Sequence, residues 1–382
     1  MPSLSQLPRE LSFQVFSYLT LRDTVRLSAT CQEYHTHLAP AIFKTIRFTN
    51  EEAVAQSALA AVKADGQHTT RLEFTPAAGW DDEPAVPALW DEMGVGLDAF
   101  TYSENADQVA AKERKWKWRA LMSDSWAALS ENEHVRDLTV NELIPKSASA
   151  FRSSSFRRFL ARLESATRRI WGGDCVGSSG HVFTGYVEWL WNTREGSLGL
   201  GADFLRHMRN LKRLEIHAAD TGFLGGTGTH NIPLYALAPD SLPALQSLTL
   251  TNCLVGRELV EFIRGHAGVL TSLNVADCAS RGDMDGSGEH SQSWATFFDE
   301  IYRNQIRACL EEECDPGIQE ICRKIQADPG RDSFGYGTLY DPEGFFVRDL
   351  GMIAEAFRRG DDQRAYDRLV GLVRENAARA GF

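Results

Sequence analysis

Apolar residues recur with helical spacing at the start of the chain. From Pro8 onward they stand at Leu11, Val15, Phe16 and Leu19, three or four positions apart, which places them on one face of a helix. A proline at a helix start costs little, because its missing N–H would have no partner within the helix. The pattern predicts a first short helix that buries one face.

Two further short helices are predicted behind the first. One contains Val25 and Leu27, and the next runs through Cys31 and Leu38 until Pro40 ends it. Segments below about 40 residues usually need a metal, a disulfide or a partner to be stable. Three helices this short cannot bury their large apolar groups among themselves. The surplus must therefore pack on the rest of the chain or on another protein.

A nine-residue pattern, apolar-x-x-apolar-x-apolar-x-x-small, recurs downstream. It resembles the strand segment of a leucine-rich repeat, in which Asn or Cys ends the strand. The starts are spaced irregularly, so we expect a degenerate array with insertions, in which four to six parallel strands stack into one sheet. The pattern occurs at Val135, Leu138, Val140 and Leu143; at Leu211, Leu214, Ile216 and Ala219; at Leu245, Leu248, Leu250 and Cys253; at Leu270, Leu273, Val275 and Cys278; and more weakly at Phe43, Ile46 and Phe48 and at Leu72 and Phe74.

Helical stripes lie between these strands and after them. Strand-then-helix alternation predicts an α/β layer with a parallel sheet. Near the end, 334–340 and 345–347 flank the turn Asp341-Pro342-Glu343-Gly344, which predicts a β-hairpin. The stripes are Trp118, Leu121, Met122, Trp126 and Leu129; Leu259, Phe262 and Ile263; Trp294, Phe297, Phe298 and Ile301; Ile318, Ile321, Cys322 and Ile325; and Tyr366, Leu369, Val370 and Val373.

Composition narrows the class of protein. The 382 residues carry 52 acidic and 40 basic side chains, a net charge of -12, which disfavours sequence-independent binding of nucleic acid. The seven cysteines form no CxxC pair, and residues 1–9 lack the apolar core of a signal peptide. We therefore expect reduced thiols and a location in the cytoplasm, the nucleus or both. No apolar run approaches the roughly 20 residues that span a bilayer, so no membrane association is expected.

The N-terminal segment contains the motif Leu7-Pro8-x-Glu10-Leu11-x3-Val15-Phe16-x-Tyr18-Leu19, followed by Leu27-Ser28-x2-Cys31. In this motif residues 4–48 resemble the F-box of eukaryotic ubiquitin-ligase substrate receptors. Tyr34 and Phe43 stand where tryptophan is frequent, and both keep an aromatic ring. The resemblance implies that the helices insert apolar side chains into the Skp linker protein, which joins the receptor to a cullin scaffold. The implied contact residues are Leu7, Pro8, Leu11, Val15, Phe16, Leu19 and Leu27.

A second resemblance covers most of the remaining chain. From Ile170-Trp171-Gly172-Gly173-Asp174 to Asp328-Pro329-Gly330-Arg331 and the last helices, the sequence is similar to fungal F-box proteins without an assigned substrate. We therefore expect three parts. These are an F-box at 1–48, an irregular leucine-rich-repeat-like α/β solenoid at 49–328, and a C-terminal β-hairpin with helices at 329–382 packed on the solenoid.

The resemblance implies a non-catalytic substrate adaptor that presents an unknown target protein for ubiquitination. An F-box scaffold that pairs with the Skp linker without a cullin is the alternative, and an enzyme in the large domain is a third. In a repeat array the residues flanking the central apolar strand positions face out on the concave side. The predicted substrate surface is Asp137, Thr139, Asn141, Arg213, Glu215, His217, Ser247, Thr249, Thr251, Ser272 and Asn274.

Other motifs favour plainer interpretations, and no metal or cofactor is expected. Asp283, Asp285 and Gly288 imitate a calcium loop, but Trp294 stands where the bidentate Glu belongs. The glycine-rich stretch 222–228 matches no phosphate-binding pattern. The basic stretch 112–119 is either a nuclear-localisation or nucleic-acid patch or, as we favour, the polar side of a helix. Cys309, Cys314 and Cys322 lack zinc spacing.

Overall fold

The structure is a computed structural model. It describes residues 8–75, 106–141, 148–169, 204–217, 237–276, 278–281, 293–303, 309–311, 334–340, 345–348 and 350–380. The predicted helix at 318–325, the glycine-rich stretch 222–228, the calcium-like loop before Trp294, Cys314 and Leu7 all lie outside the described residues.

Three short helices open the described chain, α1 (Arg9–Ser17), α2 (Leu21–Ser28) and α3 (Gln32–Ile42). Thr20 caps α2, because its hydroxyl oxygen accepts a hydrogen bond from the Asp23 N–H at 3.2 Å. The predicted end of the third helix at Pro40 is wrong. Pro40 lies inside the last turn of α3, where the missing N–H costs a single intrahelical bond and only two residues follow.

The strands of the described residues are β1 (Thr45–Phe48), β2 (Arg71–Phe74), β3 (Asp137–Val140), β4 (Ser165–Arg169), β5 (Arg213–His217), β6 (Ser247–Thr251), β7 (Leu254–Val255), β8 (Ser272–Ala276), β9 (Ala279–Arg281), β10 (Cys309–Glu311), β11 (Gly335–Tyr340) and β12 (Phe345–Arg348). They form two sheets. The first has eight strands, all parallel to their neighbours and arranged in chain order, β1-β2-β3-β4-β5-β6-β8-β10, and the second has the order β12-β11-β9-β7.

The parallel sheet confirms the predicted α/β class, but it has more strands than the four to six expected. Alternate residues of each central strand are buried, as Leu138 and Val140 are in β3. They pack on the intervening helices as one continuous core. The later helices are α4 (Glu52–Asp65), α5 (Ala106–Lys115), α6 (Lys117–Ser130), α7 (Ser154–Arg162), α8 (Arg257–Gly265), α9 (Trp294–Arg303), α10 (Leu350–Arg359) and α11 (Asp361–Ala380).

Strand β4 carries an unusual core residue. Arg168 occupies the row of the sheet in which β3 has Val140 and β5 has Ile216. Its side chain is fully buried, its guanidinium lies 4.2 Å from the centre of the Phe204 ring, and none of its three nitrogens has a hydrogen-bond partner in the described part of the chain. Burial lowers the pKa of Arg168 to about 9.

The second sheet joins the C-terminal segment to the rest of the molecule. Strands β11 and β12 pair antiparallel and confirm the predicted hairpin. Strand β11 also pairs parallel with β9, so the hairpin extends a sheet that begins beside the long one. The Tyr336 hydroxyl donates to the Asp362 carboxylate at 2.7 Å, and the same carboxylate accepts from the Ala295 N–H at 2.8 Å. These bonds fix β11, α9 and α11 to one another.

Candidate partner-binding surfaces

An unusual apolar surface lies on α1 and α2. Seven large hydrophobic side chains are exposed among the described residues, and six of them fall between positions 11 and 25. The exposed fractions include 48% for Leu11, 39% for Val15 and 80% for Tyr18. Contiguous exposed apolar groups of this kind mark interaction sites in soluble proteins. The six residues, named below the α1–α2 apolar surface, are Leu11, Phe13, Val15, Tyr18, Leu21 and Val25.

Contacts on the opposite side of α1 and α2 fix the position of the α1–α2 apolar surface. Phe16 is 8% exposed and meets the Tyr34 ring edge-on, with 6.0 Å between the ring centres. The Ser28 hydroxyl and His35 Nδ1 are 3.0 Å apart, which joins α2 to α3. Leu38 is buried where α3 leads into β1. The helices are therefore anchored through α3, and α1 and α2 are left open.

The residues expected to contact the Skp linker differ in their placement. Leu11 and Val15 belong to the α1–α2 apolar surface, and Pro8 is exposed at the start of α1. Leu19 and Leu27 are half-buried. Phe16 instead faces the other helices. The position of Leu7 lies outside the described residues.

Sequence reasoning missed four members of the apolar surface, namely Phe13, Tyr18, Leu21 and Val25. Phe13 and Tyr18 fall outside the i, i+3, i+4 stripe that was taken to define the helix face. A signal was available in the three-helix segment as a whole, which contains more large apolar residues than one stripe holds. A surface that covers two faces of a helix suits a segment that buries one face internally and offers the other to a partner.

A second surface is the polar face of the parallel sheet. The predicted substrate residues on β3, β5, β6 and β8 are half-buried or exposed and alternate with the core residues. The strand register sets Arg213 beside Ser247 and Ser247 beside Ser272. Strand β4, which was not predicted, lies between β3 and β5 and adds Ser165 and Thr167 to this face. Asn141 follows the end of β3.

Most charges on the polar face are paired. His217 Nδ1 lies 3.1 Å from the Thr251 hydroxyl oxygen, and its Nε2 is 3.6 Å from the Glu215 carboxylate. The Thr167 hydroxyl donates to the same carboxylate at 3.3 Å. Asp137 lies 3.8 Å from the guanidinium of Arg71. Strands β6 and β8 present hydroxyl and amide groups only, so the part of the face toward the β10 edge suits hydrogen bonding more than ion pairing.

The basic stretch 112–119 does not form a free cationic face. Lys117 pairs with Glu52 at 2.5 Å, Lys115 lies 4.6 Å from the centre of the Trp116 ring, and Arg119 is fully buried. These contacts favour the structural interpretation over a nucleic-acid patch. Within the described ranges, no group of three or more His, Cys, Asp or Glu side chains is arranged to hold a metal ion. No helix in those ranges has the length and apolarity needed to cross a membrane.

The fold and these surfaces define an α/β protein with a helical, partner-binding N-terminal segment. Comparison with family models matches residues 4–49 to the F-box-like family. The chain therefore carries an F-box-like domain, and the predicted F-box is confirmed. The match covers α1 to α3 and β1. F-box domains in general bind the Skp linker protein. No curated protein matches the chain.

Proposed function

We propose that this protein is the substrate-recognition subunit of a Skp/cullin/F-box ubiquitin ligase. In this role α1 and α2 bind the Skp linker, a cullin is recruited through the linker, and a target protein docks elsewhere on the chain. The subunit does no chemistry itself. It raises the local concentration of target lysines near a ubiquitin-loaded enzyme, which is a proximity effect. The complex would act in the cytoplasm, the nucleus or both.

The α1–α2 apolar surface carries this proposal. Its six exposed side chains lie inside the segment that matches the F-box-like family. Leaving them in water is unfavourable by about 25 cal/mol for each Å² of apolar surface. Burial against a partner recovers that free energy, and the best anchors of such interfaces are worth about 2–4 kcal/mol each.

We further propose that the long sheet and its helices form a degenerate leucine-rich-repeat-like solenoid that presents the target-binding face. The parallel strands follow chain order, which supports a repeating unit. Cys253 and Cys278 provide additional support, since both are buried just after β6 and β8 at matching positions. The polar face would then correspond to the concave side, where Thr249, Thr251 and Asn274 offer hydrogen-bonding groups.

The Skp contact is tested with full-length variants. Leu11→Ala combined with Val15→Ala should weaken co-purification with the Skp linker by at least about tenfold, as expected for loss of interface anchors. Val269→Ala is the matched control, because Val269 is 40% exposed and lies outside the F-box-like segment. Since all three positions are exposed, thermal unfolding should stay near wild type. Absence of any Skp association in the wild-type protein would contradict the proposal.

Target binding is tested separately from Skp binding. His217→Ala with Thr249→Ala should reduce the proteins captured when degradation is blocked, while the Skp linker is retained. The double variant in α1 should lose the linker and keep the targets. If the linker co-purifies but a cullin does not, the protein is an F-box scaffold outside a ligase, which is the alternative function.

A further inference from the structure

A cluster of arginines lies on α7 and on the segment that leads into β5. Arg157 belongs to α7, and Arg206 and Arg209 belong to the segment that leads into β5, with His207 between them. All three arginines are exposed, and His207 is half-buried. These four residues are named the arginine corner.

Apolar packing fixes the two segments side by side. The rings of Phe156 and Phe204 meet edge-on with 5.5 Å between their centres. Leu205 and Met208 are fully buried. Their packing in the core fixes the backbone that carries Arg206 and Arg209. The Asn210 amide donates to the Ala161 carbonyl at 2.8 Å. The arginine corner is therefore a fixed feature of the surface.

The cationic groups of the corner have no carboxylate partner in the part of the chain that the structure describes. Within the described residues no ion pair involves Arg157, Arg206 or Arg209, whereas the nearby Lys212 pairs with Glu164 at 2.7 Å. The positive charge of the three arginines affects the pKa of His207. Its pKa is lowered by partial burial and then by repulsion from the same three arginines. Three neighbouring arginines without an ion pair to any described residue are conspicuous on a chain whose net charge is -12.

We infer that the arginine corner binds an acidic, Asp- and Glu-rich segment of a partner protein. Guanidinium groups form forked hydrogen bonds with carboxylates, and three of them spread over two elements match an extended acidic stretch. Nucleic acid fits less well, because tight binding to it requires more phosphate contacts than the three arginines of this corner offer. This inference is independent of the proposed function, since it concerns neither the α1–α2 apolar surface nor the polar sheet face.

Binding is tested with the full-length protein and a fluorescent Asp/Glu-rich peptide, read by anisotropy at low salt. The peptide should bind, its Asn/Gln counterpart should not, and affinity should fall as salt is raised. Arg157→Gln with Arg206→Gln and Arg209→Gln should weaken binding about tenfold. The control exchanges Arg358, Arg374 and Arg379 for Gln, which removes the same charge from exposed positions on α10 and α11.

An NMR titration of His207 provides a second measurement on the folded protein. The acidic peptide should raise the His207 pKa because it places negative charge near the ring, and the triple Gln variant should raise it because it removes the repulsion from the arginines. Equal weakening in the control variant would show a non-specific charge effect and overturn the inference. Stronger binding of a single-stranded oligonucleotide of equal charge would overturn it in favour of nucleic acid. No shift of the His207 pKa with bound peptide would place the peptide elsewhere.

Discussion

Arg168 is the residue whose environment departs furthest from the rest of the core. It stands in a row of apolar residues and is fully buried. Its guanidinium has no hydrogen-bond partner within the described part of the chain. The Phe204 ring, 4.2 Å away, supplies a cation–π contact. Such a contact offsets only part of the cost of removing a guanidinium from water.

Replacing Arg168 with a residue of similar length and no charge should therefore stabilise the fold. Arg168→Met is expected to raise the free energy of unfolding by about 1–4 kcal/mol, the range seen when buried ion pairs are replaced by apolar side chains of similar volume. Urea denaturation at neutral pH measures the difference. Arg374→Met, at an exposed position of α11, should change stability by less than about 0.5 kcal/mol. A loss of stability in Arg168→Met would show that the guanidinium is paired in solution.

The same residue gives the stability of the protein a pH dependence with a defined sign. Burial lowers the pKa of Arg168 to about 9 in the folded chain, well below that of an exposed guanidinium. Below pH 9 both states hold the proton, so the cost of burying the charge is fully present. As the pH rises above 9 the folded state releases the proton first, and the cost declines. The stability gap between wild type and Arg168→Met should therefore be constant up to about pH 9 and narrow as the pH rises above that value.

At the scale of elements, prediction succeeded where a strand or helix has a regular apolar pattern. Strands β3, β5, β6 and β8, helices α6, α8, α9 and α11, and the C-terminal hairpin all follow such patterns. Strand β4 was missed because Ala166 and Arg168 occupy its core positions. Helix α4 was missed because its buried residues, Ala55 and Ala58, are too small to stand out. Burial there is set by close approach of neighbouring elements, which periodicity does not report.

Prediction of the candidate surfaces was also limited to features that depend on local sequence spacing. The sequence located the F-box segment and the alternating polar residues of the strands, because both depend on local spacing. It did not indicate that Phe16 faces inward, since this depends on the ring of Tyr34 in α3. It also did not indicate the arginine corner, whose members are separated by about 50 positions and meet only when α7 packs beside Phe204.

The junction of β11, α9 and α11 depends on one buried carboxylate. Tyr336→Phe removes the hydroxyl that donates to Asp362 and should destabilise the fold by about 1–3 kcal/mol. Burial already raises the pKa of Asp362, and the Tyr336 hydrogen bond opposes that rise. The variant should raise the pKa of Asp362 further. Because stability from such a group is lost as pH rises through its folded pKa, the deficit should be larger at neutral than at acidic pH.

Unfolding in urea at several pH values tests this expectation for Tyr336→Phe. Tyr18→Phe is the control, since Tyr18 is 80% exposed and should change stability by less than about 0.5 kcal/mol. A deficit for Tyr336→Phe that is equal at every pH would show that Asp362 does not titrate differently in the two proteins.

On the scale of the whole molecule, the continuous core begins at Ile46 and includes no residue of α1 to α3. The F-box helices therefore depend on fewer buried contacts than the sheet does. Local opening follows such differences in burial. We expect amide hydrogens of α1 and α2 to exchange faster than those of β5, β6 and β8, and to slow when the Skp linker is bound. Mass spectrometry of exchanged peptides measures both effects. Equal protection of α1 and β6 in the free protein would contradict the expectation.

Because the strands of the long sheet follow chain order, the number of strands determines the length of the sheet. Parallel strands are spaced about 4.8 Å apart, so the seven steps from β1 to β10 span about 34 Å. The F-box-like segment adjoins the first strand of this sheet, because α3 leads directly into β1. Each strand-and-helix unit gained or lost would lengthen or shorten the reach by about 5 Å while leaving the hydrogen-bond pattern intact. Under the proposed function, strand number would then set how far a docked target stands from the ligase scaffold.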